Sequence, residues 1–298
     1  MQLNVDYRRR PSALAYMARA LHRAGAFDAA AGFPAVRVAW RDVRIDRGEL
    51  AAFTALTGLR AQRWLPLLYP HVAGFRLLMA LLTHPAWPLP IWRALQVRNR
   101  LTQQRPLGVD EAFDLLTSIG EQRVVERGLE VDLCTQARVG GDVAWASVVT
   151  FYYRGRFGAP GTPSPLARAP EPAGEELARW RAAAGGGVRF GRLTGDYNGI
   201  HLWAPYARRF GFARAFLHPQ RVLAQCMARV PGPGAQQPQR LDAWLKGPVC
   251  YGAEVVLRGH TQTDATTFGA FADGDPRPAI VGCWSALAQD ARAAPRRG

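Results

Sequence analysis

The sequence predicts an α+β fold built twice in one chain, and three observations carry that expectation. Two helical stretches precede a run of strand-like segments punctuated by glycine, and that order returns after a stretch rich in Pro, Ala and Gly. The signature F-x-x-x-T-G closes the first helical segment of each half, as Phe53 to Gly58 and Phe190 to Gly195. Apolar helices beginning at a histidine, "HVAGFRLLMALLT" and "HPQRVLAQCMARV", then take the same place in each half.

The elements follow in order. Residues 11–30 read as an amphipathic, arginine-bearing helix, and 1–34 as a helical appendage. "AVRVAWRDVRI" alternates as a strand does; "DRGELAAFTALTG" begins at a capping Asp46 and ends at Gly58, the start and stop signals of a short helix. "YPHVAGFRLLMALLT" is a very apolar second helix. After "HPAWPLP" come strand-like runs at 94–103, 112–139 and 142–155, with Gly120, Gly128 and Gly140-Gly141 read as hairpin turns. The first copy thus spans 35–156, 157–180 is a linker, and 181–298 is the second copy, whose strands return as "RLDAWLKGPV", "AEVVLRGHTQ", "TTFGAFADG" and "PAIVGCWSALAQ".

Composition narrows the functional classes. The 298 residues carry 38 Lys+Arg against 23 Asp+Glu, a net charge of +15, almost all of it arginine because Lys246 is the only lysine. Arginine suits phosphate recognition, which fits nucleic acid, the phosphates of a nucleotide-bearing substrate such as coenzyme A, or an acidic carrier protein; the codon bias of a GC-rich genome explains the excess equally well. The arginines are spread along the whole chain with no recognised nucleic-acid motif, so nucleic-acid binding ranks last. Cys134, Cys226, Cys250 and Cys283 show no C-x-x-C pair and no histidine at metal-ligand spacing, the pattern of reduced cytoplasmic thiols. The N-terminus lacks the apolar run of a signal peptide, and the most hydrophobic stretch, Val72 to Trp92, is broken by Arg76, His84 and prolines, so no membrane span is expected.

The chemistry concentrates in "LTGDYNGIHLW". On a helix, Asp196 and His201 would point about 140° apart, but Asn198-Gly199 signals a turn, and a curled loop can aim a carboxylate and an imidazole at one point to activate water and move a proton. For either residue alone, a turn carboxylate or a satisfied surface histidine is the simpler reading.

Together, "GDYNGIHLWAPYARRFGFARAFLHPQ" resembles the signature of the MaoC-like dehydratases, the (R)-specific enoyl-CoA hydratase family, through Gly195, Asp196, Asn198, Ile200, His201, Gly211, Phe212 and His218. "WLKGPVCYGAEV" is similar to a later strand of that family, and the likeness covers about 188–285. The resemblance implies a double hot-dog, the first half a degenerate unit, each unit a helix wrapped by an antiparallel sheet. It implies an acyl-thioester hydro-lyase of fatty-acid or related metabolism. Asp196 and His201 are then the acid/base pair, Asn198 and Gly195 support the loop, and CoA or a carrier protein bears the substrate, with no metal or redox cofactor. Arg208, Arg209, Arg214 and Arg221 are candidate contacts for CoA phosphates or a carrier, with a solvated face the simpler role for the first two. Since two units in one chain already make the family's pairing, both a monomer and a homodimer are open.

The first copy has Leu59 where Asp196 stands and cannot carry the same site; its apolar helix reads as core or as the wall of an acyl site. Two departures mark the second copy. Gly199 replaces the family's proline, and Pro219 replaces the glycine whose backbone N–H, at the N-terminus of the central helix, meets the thioester oxygen. Proline has no N–H, and losing one such donor costs about 3 kcal/mol of transition-state stabilisation. Proline also suits a first helical position, and Gln220 still offers its N–H there. An alternative reading is a catalytically impaired protein that binds acyl thioesters or supports a partner.

Overall fold

A computed structural model describes residues 2–20, 27–28 and 31–287. The chain runs β1 (Leu3–Tyr7), α1 (Ala13–Arg19), β2 (Val36–Val43), α2 (Arg47–Thr57), α3 (Tyr69–Leu82), β3 (Leu95–Gln103), β4 (Phe113–Val125), β5 (Gly128–Val139) and β6 (Asp142–Arg154). The second half follows as β7 (Glu175–Arg181), α4 (Gly187–Thr194), α5 (Ala204–Arg209), α6 (Pro219–Met227), β8 (Gln239–Leu245), β9 (Glu254–Gln262), β10 (Ala265–Ala272) and β11 (Ile280–Ala286).

All eleven strands join one sheet in the order β1-β2-β4-β5-β6-β3-β8-β11-β10-β9-β7. Leaving β1 aside, the order is a palindrome: β2, β4, β5, β6 and β3 of the first half correspond to β7, β9, β10, β11 and β8 of the second. The halves meet where β3 pairs antiparallel with β8, Leu101 opposite Leu241. There Asp242 of β8 accepts from Arg98 and Arg100 of β3 at 2.7 and 2.9 Å and from Arg240 at 2.6 Å, an ion cluster that ties the two units at their junction.

Each half wraps its sheet around one helix. α3 is buried along its whole length apart from Ala73, as expected of a helix apolar on every side, and α6 is buried from Gln220 to Met227. The helix-and-antiparallel-sheet layering is the hot-dog arrangement the motif implies.

Several boundaries differ from the sequence reading. The N-terminal appendage is not simply helical: Leu3, Val5 and Tyr7 alternate with Asn4 and Asp6 to form β1, which pairs in parallel with β2. The helix expected over 11–30 covers Ala13–Arg19; 21–26 and 29–30 lie outside the described residues, as do 288–298. Gly120 is no turn but sits within β4 beside a bulge between Ile119 and Gln122, where a Cβ would meet Cys134 Sγ at 2.7 Å. The stretch 157–180, expected as linker, already contains most of β7, which pairs with β9 and supplies the outer strand of the second unit. No described helix is long and apolar enough to cross a membrane.

Candidate active site

The catalytic loop leaves α4 through a left-handed glycine. Gly195 has φ 80° and caps α4 by donating its N–H to Gly191 C=O at 2.7 Å. The Thr194 hydroxyl accepts from Asp196 N–H at 3.0 Å. Asp196 Oδ1 accepts from Asn198 N–H at 3.0 Å, and Asn198 Oδ1 from Ile200 N–H at 3.2 Å, two successive side-chain turns that curl the chain within five residues. Asn198 thus shapes the loop. A Cβ on Gly199 would lie 2.7 Å from Tyr206 Cδ1, so the Tyr206 ring fills the space that a proline would need.

The curl brings the two predicted residues together: Asp196 Oδ2 is 3.8 Å from His201 Nε2. That is too long for a direct hydrogen bond and suits a water oxygen within reach of both. His201 Nδ1 is 3.0 Å from Phe216 C=O. A carbonyl only accepts, so Nδ1 carries the proton and Nε2 turns its lone pair toward the carboxylate. Burial holds the His201 imidazole below its ordinary range, against an opposing pull from Asp196. His218 stacks on His201 with centroids 4.1 Å apart and donates Nε2–H to Asp196 C=O at 3.0 Å; burial, reinforced by His201, pushes it down to about 4.

Asp196, His201 and His218 place ligand-type atoms within 4.8 Å of one another, the single such acid and imidazole group among the described residues. One nitrogen of each ring is already committed to a backbone carbonyl, His201 Nδ1 to Phe216 and His218 Nε2 to Asp196.

A cavity of about 550 Å³ opens on this loop. The second half lines it with Ile200, Phe216, Pro219 and Gln220, and the first half with Phe75, Met79 and Leu82 of α3. The apolar helix, expected as core or as an acyl wall, packs in the core and also lines this cavity. Pro219 is the first residue of α6, with His218 as its cap.

The arginines separate. Arg208 and Arg209 are exposed on α5, as the sequence suggested, and Arg214 pairs with Asp273 at 3.1 Å. Arg221 is not a phosphate contact: it is 3% exposed and donates to Gly185 C=O at 2.8 Å, bracing the start of α4.

Three supporting residues went unread in the sequence. Tyr16 of α1 donates to Gly195 C=O at 2.6 Å. Arg76 of α3 donates to Arg192 C=O at 2.7 Å and to Pro11 C=O at 3.3 Å, and Arg10 reaches Arg192 C=O at 2.9 Å and Leu193 C=O at 3.2 Å. Cations thus cover the carbonyl end of α4, where its dipole is negative. An arginine inside the otherwise apolar "FRLLMALL" was the available signal.

No protein-family model matches the chain. It is 33% identical over 189 residues to 3-hydroxyacyl-thioester dehydratase X of Mycobacterium tuberculosis, a match covering 63% of this chain and 68% of that one. Among solved structures, HtdX of Mycobacterium tuberculosis superposes with TM-score 0.71 at 27% identity, over 84% of this chain and 100% of that one. A MaoC-like dehydratase from Phytophthora capsici shares the fold, with TM-score 0.69 at 16% identity over 88% and 98%. With Asp196 and His201 facing each other on one loop and this likeness in sequence and structure, the chain belongs to the MaoC-like 3-hydroxyacyl-thioester dehydratase family.

Proposed function

We propose that this chain is a hydro-lyase that adds water reversibly across the 2,3 double bond of a trans-2-enoyl thioester to give the (R)-3-hydroxyacyl thioester, with Asp196 and His201 as its acid/base pair. The observation that carries the assignment of residues is the facing of Asp196 Oδ2 and His201 Nε2 across 3.8 Å at a largely apolar cavity. In hydration, a water held between them attacks C3, one of the pair receives the proton that water loses, and one delivers a proton to C2; dehydration runs the same steps backward. The His201 tautomer suits this role, because the bond to Phe216 C=O leaves Nε2 free to accept. The apolar walls hold the acyl chain, with α3 of the first half as one side, and the chemistry calls on no metal or redox group. CoA or a carrier protein bears the thioester.

The test is hydration of a short and a longer trans-2-enoyl-CoA, followed by loss of the enoyl absorbance. Asp196→Asn and His201→Ala are each expected to lower kcat by about 10²- to 10⁴-fold with an unchanged thermal transition. Wild-type-like turnover in both variants would reject the assignment.

A further inference from the structure

Moving a proton on or off C2 places negative charge on the thioester oxygen, and a donor aimed at that oxygen is usually the largest single source of rate. Pro219 offers none at the first position of α6. Gln220, the next residue, does. Its backbone N–H has no helical carbonyl to reach, since Phe216 C=O, four residues back, lies outside the helix and accepts from His201. Its side chain is 2% exposed and lines the same cavity as Asp196 and His201.

That side-chain amide is only half used. Nε2 donates to Gln96 Oε1 at 2.7 Å, which occupies one of its two protons, while Oε1 is buried with no partner. The bond to Gln96 continues a polar chain through the first half: Gln96 Nε2 donates to Asn99 Oδ1, and Asn99 Nδ2 lies 3.4 Å from His71 Nε2. Asn99 and His71 are 0% and 1% exposed. Buried amides are costly unless satisfied, and this row, half-buried at Gln96, ends on a helix whose first residue has no N–H.

We infer that Gln220 is a catalytic residue: its side-chain Nε2–H, together with its own backbone N–H, hydrogen-bonds the thioester oxygen in place of the N–H that Pro219 lacks. Gln96, Asn99 and His71 are positioning residues that hold the amide in place. The inference rests on the acyl-thioester reading above, and it gives the degenerate half a part in the chemistry beyond walling the cavity.

The experiment uses the full chain and trans-2-octenoyl-CoA. Gln220→Met, similar in length but without a donor, is expected to lower kcat about 100-fold while KM changes little. Adding Pro219→Gly to Gln220→Met restores a backbone donor and recovers at least about tenfold of that loss, a rescue that a merely structural role for Gln220 does not give. Asn99→Leu lowers kcat in the same sense by a smaller factor. A spectroscopic arm uses Asp196→Asn, which holds 2,4-hexadienoyl-CoA without turnover: the red shift of the bound dienoyl chromophore, a measure of carbonyl polarisation, is lost when Gln220→Met is added. Should Gln220→Met lose its cooperative thermal transition, Gln220→Leu, which likewise has no donor, carries the same expectations.

Turnover that depends on Asp196 but survives Gln220→Met within twofold, with the red shift unchanged, overturns the inference and leaves the acyl-thioester reading standing. Absence of wild-type turnover on any enoyl thioester overturns the reading and the inference with it.

Discussion

α2 and α4 end in the same way and lead to different things. In both, a fully buried phenylalanine begins the last turn, and a threonine hydroxyl donates back to its carbonyl, Thr57 to Phe53 at 2.7 Å and Thr194 to Phe190 at 3.2 Å. A left-handed glycine follows, Gly58 at φ 81° and Gly195 at φ 80°, and the next N–H returns to the threonine oxygen, Leu59 at 3.3 Å and Asp196 at 3.0 Å. There the likeness stops. Leu59 is buried in the core, whereas Asp196 faces His201. The duplicated device is a backbone exit, fixed by Thr and Gly; the chemistry is carried by the one residue placed on it. The halves also differ in what covers the exit: Tyr16 and Arg76 close over Gly195, and Gly58 meets only the Ala228 methyl.

That difference in cover gives the largest expected effect. A Cβ on Gly58 would sit 3.5 Å from Ala228 Cβ, ordinary contact, so Gly58→Ala is expected to cost about 1–2 kcal/mol, the strain of a left-handed alanine. A Cβ on Gly195 would sit 2.0 Å from the Tyr16 hydroxyl and 3.0 Å from Arg76. Gly195→Ala therefore adds to the same strain the loss of the Tyr16 bond and a displaced catalytic loop. Denaturant unfolding should show a clearly larger loss at 195, and kcat should fall only there. Equal losses of stability with kcat unaffected in both would mean that the Tyr16 cover is idle.

Much of this was legible beforehand, for a physical reason. Capping residues, turn glycines and alternating strands act locally, so α2, α4, the Asp196–His201 loop and the order of strands follow from short stretches. What escaped was long-range. β7 hides in a run of Pro, Ala and Gly because its pairing with β9 supplies the order that its own propensities do not. Arg221 reads in the sequence like the exposed Arg208, Arg209 and Arg214, and becomes a buried brace only once α4 starts beside it. The chain from His71 to Gln220 joins residues up to 149 positions apart in sequence; nothing local announces it.

The two buried helix-leading histidines sharpen the comparison at intermediate strength. Burial pushes both His71 and His218 down to about 4, with the neighbouring His201 adding to the effect on His218. In the unfolded chain they titrate near the ordinary 6.5. Between those values the unfolded state binds more protons, so their stabilisation is complete above about pH 6.5 and is lost as pH falls toward 4. Two such groups give a limiting slope of about 2.7 kcal/mol per pH unit. His71→Leu should lower that slope by the share of one group, about 1.4 kcal/mol per pH unit, while leaving the acid limb of kcat/KM in place, because that limb follows His201. As His201 too is held low, the limb should lie below the ordinary imidazole range. A limb that moved with His71 would show that the halves share one titration.

The smallest effect comes from the threonines, and it separates fold from function most cleanly. Thr57→Val and Thr194→Val each remove a buried hydroxyl that donates to a helix carbonyl and accepts from the residue after the glycine, at nearly unchanged volume. Each should cost about 1 kcal/mol of stability, because the two hydrogen-bond pairs are equivalent. The difference lies in what the accepted N–H belongs to. At Thr57 it is Leu59, whose side chain is held by the core in any case, so kcat should not change. At Thr194 it is Asp196, and releasing that N–H loosens the carboxylate against His201, so kcat should fall several-fold with KM little altered. The remaining restraints on Asp196, its own turn with Asn198 and the His218 bond to its carbonyl, keep the loss well short of that from removing the carboxylate. Equal kcat in the two valine variants would mean that those two restraints alone aim Asp196, and that the shared threonine serves only the helix end in both halves.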